Sequence, residues 1–290
     1  MPVTWFHLGP ALMLALIFRL NLFIVAISSI ISDIEPLSVE LLFLFGVKSL
    51  PQELYATRGH VYLHSFIIAI IIAAVIAVVA KRFFKEDFRD LLASALLGIF
   101  SHVCLDSFSH EMIMPLFPLS GNPFFLANSE PYLTGFCLLS YFLSLKMLLP
   151  KIPETEKQIS FLLKLFSIFM ILSFLWILLN PKGYFGFSTF GLTTYSGVPI
   201  PYFDVKIYGN GLLQLREKSH FISLEEVKPL MKDSEVLILG IGYDKAVKVD
   251  DRIFKSGIEV ISLRSDKAIE KFNELKKKGK RVAAIIHSTC

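Results

Sequence analysis

The chain has 290 residues and is 54% hydrophobic, with a mean hydropathy of +0.60, which is too apolar for an ordinary soluble protein. Its formal charge of +4 is small and dispersed, so the basic stripe of a nucleic-acid-binding protein is absent and no nucleic acid is expected as a partner. The three cysteines, Cys104, Cys137 and Cys290, show neither a CxxC nor a zinc-finger spacing; they are read as free thiols packed as small hydrophobes.

The N-terminus lacks the basic start and small-residue cleavage pattern of a secretory leader, so none is expected to be removed. Residues 10–31 form an apolar stretch able to span a bilayer once. The polar Arg19-Leu20-Asn21 in its middle argues instead for two short helices folded as a hairpin, each arm too short for a hydrocarbon core of ~30 Å. A hairpin returns His7 and Asp33 to one membrane face, whereas a single span would separate them. Longer apolar runs follow at 64–80, 91–106, 133–149 and 159–180, and each is read as a spanning helix.

Ionisable side chains accompany this apolar half: His7, His60, His64, His102 and His110, with Asp33, Glu35 and Asp106 close by in sequence. Each such group at bilayer depth costs roughly 3 kcal/mol of insertion free energy unless it is paired or bound. Imidazoles and carboxylates together are the donors of a hard or borderline divalent cation. His60-Val-Tyr-Leu-His64 is an HxxxH, and on a helix positions i and i+4 share a face. His102, Asp106 and His110 are each four apart and form a polar stripe on an apolar helix end. Ser32-Asp33-Ile-Glu35-Pro36 closes the N-terminal stretch, and His7 precedes it. Singly, each piece has a plain alternative: a chance HxxxH, acidic helix caps, an interfacial histidine. Together they point to metal. The candidate ligands are His7, Asp33, His60, His64, His102, Asp106 and His110, with zinc as the first choice and manganese or magnesium as alternatives. Glu35 and His110 are the candidate acid–base residues of a metal-assisted hydrolysis. Arg58 is read as a snorkelling interfacial side chain in preference to a phosphate ligand.

The blocks HLGPAL (7–12), SDIEPL (32–37), HVYLHS (60–65) and SHVCLDSFSH (101–110), followed by PLFPLSGNP (115–123), stand in the order found in one family. In them the chain resembles the membrane-bound metal-dependent hydrolases named after a bacterial LexA-regulated inner-membrane protein. The resemblance covers roughly residues 1–150. It implies a divalent-metal hydrolase with its site at the positions already named and at Glu35. Two departures, Ser32 where that family has Pro and Val61 where it often has Gly, remove no ligand. The order of His, Asp, His and HxxxD is also loosely similar to zinc-dependent phospholipase C and related single-strand nucleases, an analogy of little weight alone.

The composition changes after Asn180. Residues 181–201 are rich in Gly, Pro, Ser and Thr without helical period, and are expected to form a linker or covering loop between a membrane domain (1–180) and a soluble domain (202–290). In the latter, FDVKIYG, LLQLRE (212–217), EVLILGIG, GIEVISL (257–263) and RVAAIIH read as strands. Asn210-Gly211 is a hairpin turn, Ser223 to Glu226 a capping box, and DKAIEKFNELKKKGK an amphipathic helix stopped by Gly279. The alternation implies a mixed sheet with helices on at least one face. SHFISLEEV, LILGIGY, FNELKKKGK and VAAIIHSTC resemble the Mth938-like domain, also met in assembly factors of respiratory complex I. That implies a compact α/β fold and a protein partner for an interaction or assembly role. Gly240-Ile-Gly242 lacks the third glycine of a phosphate loop and is read as tight-turn glycines. His287 and Cys290 end the last strand, where a structural role is preferred to a small metal or thiol site.

The expectation is therefore an α-helical integral membrane domain followed by a small soluble α/β domain. Its function would be metal-dependent hydrolysis of a phosphoester or ester in a lipid-like or isoprenoid-linked substrate drawn from the bilayer. The alternative is a non-catalytic assembly factor or transport-related protein with a structural metal site. Lys81, Arg82, Lys85 and Arg89, with Lys146, Lys151 and Lys157, mark the face opposite the ligands, which carries chiefly Lys48 and Arg58. The positive-inside rule then places the metal site outside the cytoplasm, and span parity places the C-terminal domain with it. A Cys290 without disulfide partner pulls the other way.

Overall fold

The computed structural model describes residues 4–47 and 60–290; Lys48 and Arg58 lie outside them. The chain forms a helical unit up to Ser173 and an α/β unit from Phe174, which also takes in residues from Glu40 onward in the third helix.

In the helical unit a 3-10 turn at Thr4–His7 leads into α1 (Leu8–Phe18), then α2 (Leu22–Ser28), a 3-10 turn at Ile31–Asp33 and α3 (Ile34–Leu44). After them come α4 (Phe66–Ala80), α5 (Phe88–Ser109), α6 (Glu130–Leu148) and α7 (Lys157–Leu179). The Arg19-Leu20-Asn21 break is a turn, as its composition predicts. Arg19 ends α1 in the left-handed region at φ 56°, and the Asn21 side chain caps α2 by accepting from the Ile24 amide at 3.0 Å. The tip is tied down: Asn21 Nδ2 donates to Glu86 Oε1 (2.9 Å), and its backbone N–H donates to Ser94 Oγ (3.1 Å).

Among the described residues, four segments are long and apolar enough to cross a membrane: Leu22–Leu44, Phe88–Ser109, Glu130–Lys151 and Lys157–Leu179. The segment Leu22–Leu44 joins the hairpin's second arm to α3. The run 64–80, expected to span, yields only the 15-residue α4. Its helix begins at Phe66 because Ser65 is extended (φ −108°, ψ 137°) and residues 60–65 form turns. HxxxH is therefore not on a helix face.

Between membrane helices the hydrophobic effect offers little, so contact depends on close approach of small residues. Ala69, Ala73, Ala77 and Ala80 of α4 pack on Leu91, Ala95, Ile99 and Val103 of α5, while Ile67, Ile71, Val75 and Val78 point outward. Gly98 of α5 lies so near α2 that a Cβ there would strike Ser28 Oγ and the Val25 carbonyl. Cys104, read as packed, faces outward, and Cys137 is buried.

The α/β unit contains β1 (Phe185–Thr189), β2 (Leu192–Tyr195), β3 (Val198–Pro201), β4 (Asp204–Ile207), β5 (Leu213–Arg216), β6 (Phe221–Ile222) and α8 (Leu224–Met231). It continues through β7 (Val236–Gly240), β8 (Lys248–Val249), β9 (Glu259–Leu263), α9 (Ser265–Lys277) and β10 (Val282–Ile286). The main sheet has the order β5-β4-β10-β7-β9. It is mixed, as expected: β10 runs parallel to β7 and antiparallel to β4. Ser223 Oγ accepts from the Glu226 amide at 3.3 Å, the predicted cap of α8.

Residues 181–201 are not a linker. They carry β1, β2 and β3 as an antiparallel sheet. The residues that read as linker punctuation are hairpin turns: Gly191 (φ 75°) lies between β1 and β2, and Ser196 (φ 51°) and Gly197 (φ 80°) between β2 and β3. Positive φ at two successive residues suits the twist of a tight hairpin. Phe185, Tyr195 and Ile200 enter the main core beside Phe272, with the Phe185 and Phe272 rings 4.9 Å apart. The domain thus begins about twenty residues before the expected boundary at 202.

Replacing Gly98 by Val is expected to lower stability by about 1–3 kcal/mol through overpacking, read as a lower thermal midpoint in detergent. Gly135→Ala, on a helix face where nothing lies within 4 Å, should be neutral or slightly stabilising. Equal behaviour of the two variants would remove the close α2–α5 crossing.

Candidate metal centre

Asp106 organises the centre. It lies on α5 with no solvent exposure, one turn after the equally buried His102. His110 ends the helix in an extended conformation (φ −117°, ψ 116°), which swings its ring back toward Asp106, with Nε2 3.6 Å from Oδ1. The turn before α4 supplies His60 and His64, the 3-10 turn before α3 supplies Asp33, and the turn before α1 supplies His7.

One set of donors is Asp33, His64, His102 and Asp106, all buried. His64 Nε2 and His102 Nε2 face each other at 3.3 Å. Each lies 3.2 Å from Asp106 Oδ2, and they are 3.6 and 3.5 Å from Asp33 Oδ1. A tetrahedral zinc with bonds of ~2.05 Å has ligand–ligand edges of about 3.3 Å. The contacts match those edges and are longer than charge-assisted hydrogen bonds of about 2.8 Å.

The proton inventory agrees. His102 Nδ1 lies 2.7 Å from the Ser29 carbonyl oxygen. A carbonyl only accepts, so Nδ1 donates and the neutral ring offers the Nε2 lone pair to the centre. Both oxygens of Asp33 and of Asp106 are buried without a hydrogen bond. Buried carboxylates of this kind are matched by an ion pair or a metal, and one cation satisfies all four inward-facing atoms at once.

A second set, His60, Asp106 and His110, also lies within ligating reach of a common point. It uses the other face of the same carboxylate: His110 Nε2 at 3.6 Å and His7 Nε2 at 3.4 Å both approach Asp106 Oδ1. His7 stacks on His102 with ring centroids 4.1 Å apart. Asp106 thus presents Oδ2 to four-donor surroundings and Oδ1 to a second group. The first set has four protein donors, closed as structural sites are; the second has three, the number that catalytic sites use. The side chain of His110 is 14% exposed, against none for His7, His64 and His102.

The seven positions read from the sequence as ligands lie in one cluster, six of them in the two donor sets and His7 outside both, beside Asp106 Oδ1; the hairpin delivers both of its ends, His7 and Asp33. Glu35 departs from its expected acid–base role. Its carboxylate accepts the backbone amides of Tyr62 (3.2 and 3.1 Å) and Leu63 (2.7 Å). Those amides bond to it and not to helical acceptors, so Glu35 holds the His60–His64 turn open and shapes the site without being part of either donor set. Two contributors carried no recognisable signal. The Ser29 carbonyl orients His102. Asn122, inside PLFPLSGNP, donates from Nδ2 to the carbonyls of Ser107 (2.7 Å) and His110 (2.6 Å) and fixes the end of α5.

Fold and site together define a polytopic membrane protein with a buried histidine–carboxylate centre, fused to a mixed α/β domain. The chain belongs to the YdjM inner membrane protein family, whose model matches residues 4–183, in agreement with the resemblance of the N-terminal blocks. Residues 191–287 match a family described as a protein of unknown function (DUF498/DUF598). Among solved structures, one titled MT938 is 32% identical, with 37% of this chain and 98% of that chain covered and a TM-score of 0.33. The conserved hypothetical protein PH1505 from Pyrococcus horikoshii OT3 is 30% identical, with the same shares covered and a TM-score of 0.34.

His64→Ala, His102→Ala and Asp106→Ala are each expected to lose most divalent metal from the purified protein, a fall of at least 10–100-fold in affinity, measured by elemental analysis. Glu35→Gln should weaken binding less, since it removes no donor. Wild-type metal content in all three alanine variants would overturn the centre.

Proposed function

We propose that the helical unit is a divalent-metal-dependent hydrolase acting on a phosphoester or ester of a lipid-like substrate. The observation that supports this most directly is the division of Asp106 between a closed four-donor set and a second, three-donor set. Bound divalent cations supply Lewis acidity toward a phosphoryl or acyl oxygen. The chain's own residues do the rest. His110, the most solvent-accessible of the clustered side chains, would exchange the proton of an attacking water if its ring does not serve as a ligand. Asn122 holds the His110 backbone, and Glu35 holds the turn that carries His60 and His64. The nitrogen and oxygen donors contain no thiolate, which suits zinc or manganese over softer ions. The lipid-like substrate rests on the bilayer setting and on the outward-facing apolar side chains of α4, α6 and α7.

The closed set by itself favours a second reading, a structural metal in a non-catalytic assembly or transport protein. Purified protein in nanodiscs, assayed on phosphodiester, carboxylester and phospholipid substrates, separates the two. The expected result is turnover abolished by chelation, restored by zinc or manganese, and reduced at least 100-fold in His110→Ala. Metal retained with no hydrolysis of any of these substrates would favour the structural reading.

The clustered ligands lie at the ends of α4 and α5 opposite Lys81, Arg82, Lys85 and Arg89, which supports an extracytoplasmic centre. The basic Lys151 and Lys157 flank the start of α7, which supports the same side for the C-terminal unit. An alkaline phosphatase reporter fused after Cys290 should therefore be active. Activity only of a cytoplasmic reporter at that position would reverse the assignment.

A further inference from the structure

The α/β unit has its own constellation of metal-ligating atoms. His287 follows β10 at the carboxyl end of the central strand, Cys290 lies three residues further on, and His220 precedes β6. Their ligand atoms lie within 4.8 Å of one another. Cys290 Sγ is 3.2 Å from His220 Nε2 and 3.8 Å from His287 Nε2. Tetrahedral zinc, with Zn–S of ~2.3 Å and Zn–N of ~2.05 Å, sets nitrogen–sulfur edges of about 3.6 Å. The two distances bracket that value.

The atoms are also aimed. His287 is 1% exposed, and its Nδ1 lies 2.7 Å from Asp204 Oδ2. The carboxylate accepts from Nδ1, so the Nε2 lone pair points toward Cys290, the carboxylate–histidine relay that second-shell residues provide at zinc sites. Asp204 is held in turn by Arg216 Nη1 at 2.9 Å and by the Ser288 amide at 3.0 Å. Arg216 also donates to the Ser219 and Phe221 carbonyls, which flank His220. One buried guanidinium therefore steadies both histidines. Its bonds to Glu226, with that of Lys206, outweigh the burial that would raise the Glu226 carboxyl and hold it below its ordinary value.

The Cys290 backbone is placed as deliberately. The Ser288 carbonyl accepts from the Gly191 amide (2.7 Å) and the Thr289 carbonyl from the Tyr243 amide (2.9 Å). Gly242 has φ 94°, and a Cβ there would collide with the Cys290 carbonyl. Gly242, read from the sequence as a tight-turn glycine, is also the gap that lets this segment lie down. Thr289 Oγ1, 3.2 Å from His287 Nε2, is the competing hydroxyl partner of that lone pair.

We propose that His220, His287 and Cys290 form a second cation site, in the α/β unit, which takes zinc or a similar borderline divalent ion through two imidazoles and one thiolate. The Cys290 thiol proton is released to solvent on binding.

Cobalt tests this in the full-length protein, because only a sulfur ligand gives near-ultraviolet thiolate-to-cobalt charge transfer and the helical centre has no sulfur donor. Reduced protein titrated with Co²⁺ should develop that band. His102→Ala should keep it, Cys290→Ser should lose it, and His220→Ala, at an exposed and structurally tolerant position, should need at least about 10-fold more cobalt. Zn²⁺ should also protect Cys290 from alkylation in the wild type, read by peptide mass spectrometry without any variant. No band, a band that survives Cys290→Ser, or alkylation of Cys290 at the same rate with and without Zn²⁺ would overturn the site and leave a hydrogen-bonded thiol.

Discussion

A fully buried carboxylate inside an apolar helical unit has to be matched by positive charge or donors, and Asp106 sets the terms for everything around it. No lysine or arginine reaches it among the described contacts; imidazoles do, from three separate segments of chain. Each of the three segments is delivered by its own device. A left-handed Arg19 folds the first apolar stretch back on itself, Glu35 holds a turn open, and α5 breaks at His110. The small residues at the helix crossings follow from the same demand, since the ligands converge only if α2, α4 and α5 approach closely.

The side-chain identities of the centre were legible in the sequence because ionisable groups in an apolar run are few and costly. Their local structure was less so. HxxxH suggests a helix because four residues make about one turn, yet the backbone amides of Tyr62 and Leu63 bond to Glu35, and the spacing survives only as a coincidence of the turn. Glu35 shows why roles are harder than positions: a carboxylate two residues from a ligand looks like a base, and only coordinates show its oxygens committed to amides. The Ser29 carbonyl has no side-chain signature at all.

In the α/β unit the long periodic elements, the Ser223 cap and the Asn210-Gly211 turn followed their patterns. The error lay at 181–201, where strands of four or five residues are cut by tight turns and themselves contain Gly, Pro, Ser and Thr, so local composition speaks for the turns and is silent about the sheet. Aromatic residues were the overlooked sign: Phe185 and Tyr195 alternate into a core that could not be seen from that segment alone. Nothing in the local sequence marks Arg216, yet it links Asp204, Glu226 and the chain around His220.

The shortness of α4 has a consequence for where the centre sits in a lipid bilayer. Fifteen residues rise about 22 Å, while a typical hydrocarbon core is ~30 Å thick. Were Lys81 and Arg82 held at one headgroup layer, His64 at the other end of α4 would fall several ångströms beneath the opposite one. The bilayer must thin around the protein, or the cluster lies submerged among acyl chains, reached from the side and not from the water above. Hydrophobic mismatch of this size is settled by lipid as much as by protein. The depth of the centre, and so the part of an amphiphile brought level with it, is set jointly by this helix and by the acyl-chain length of the host membrane.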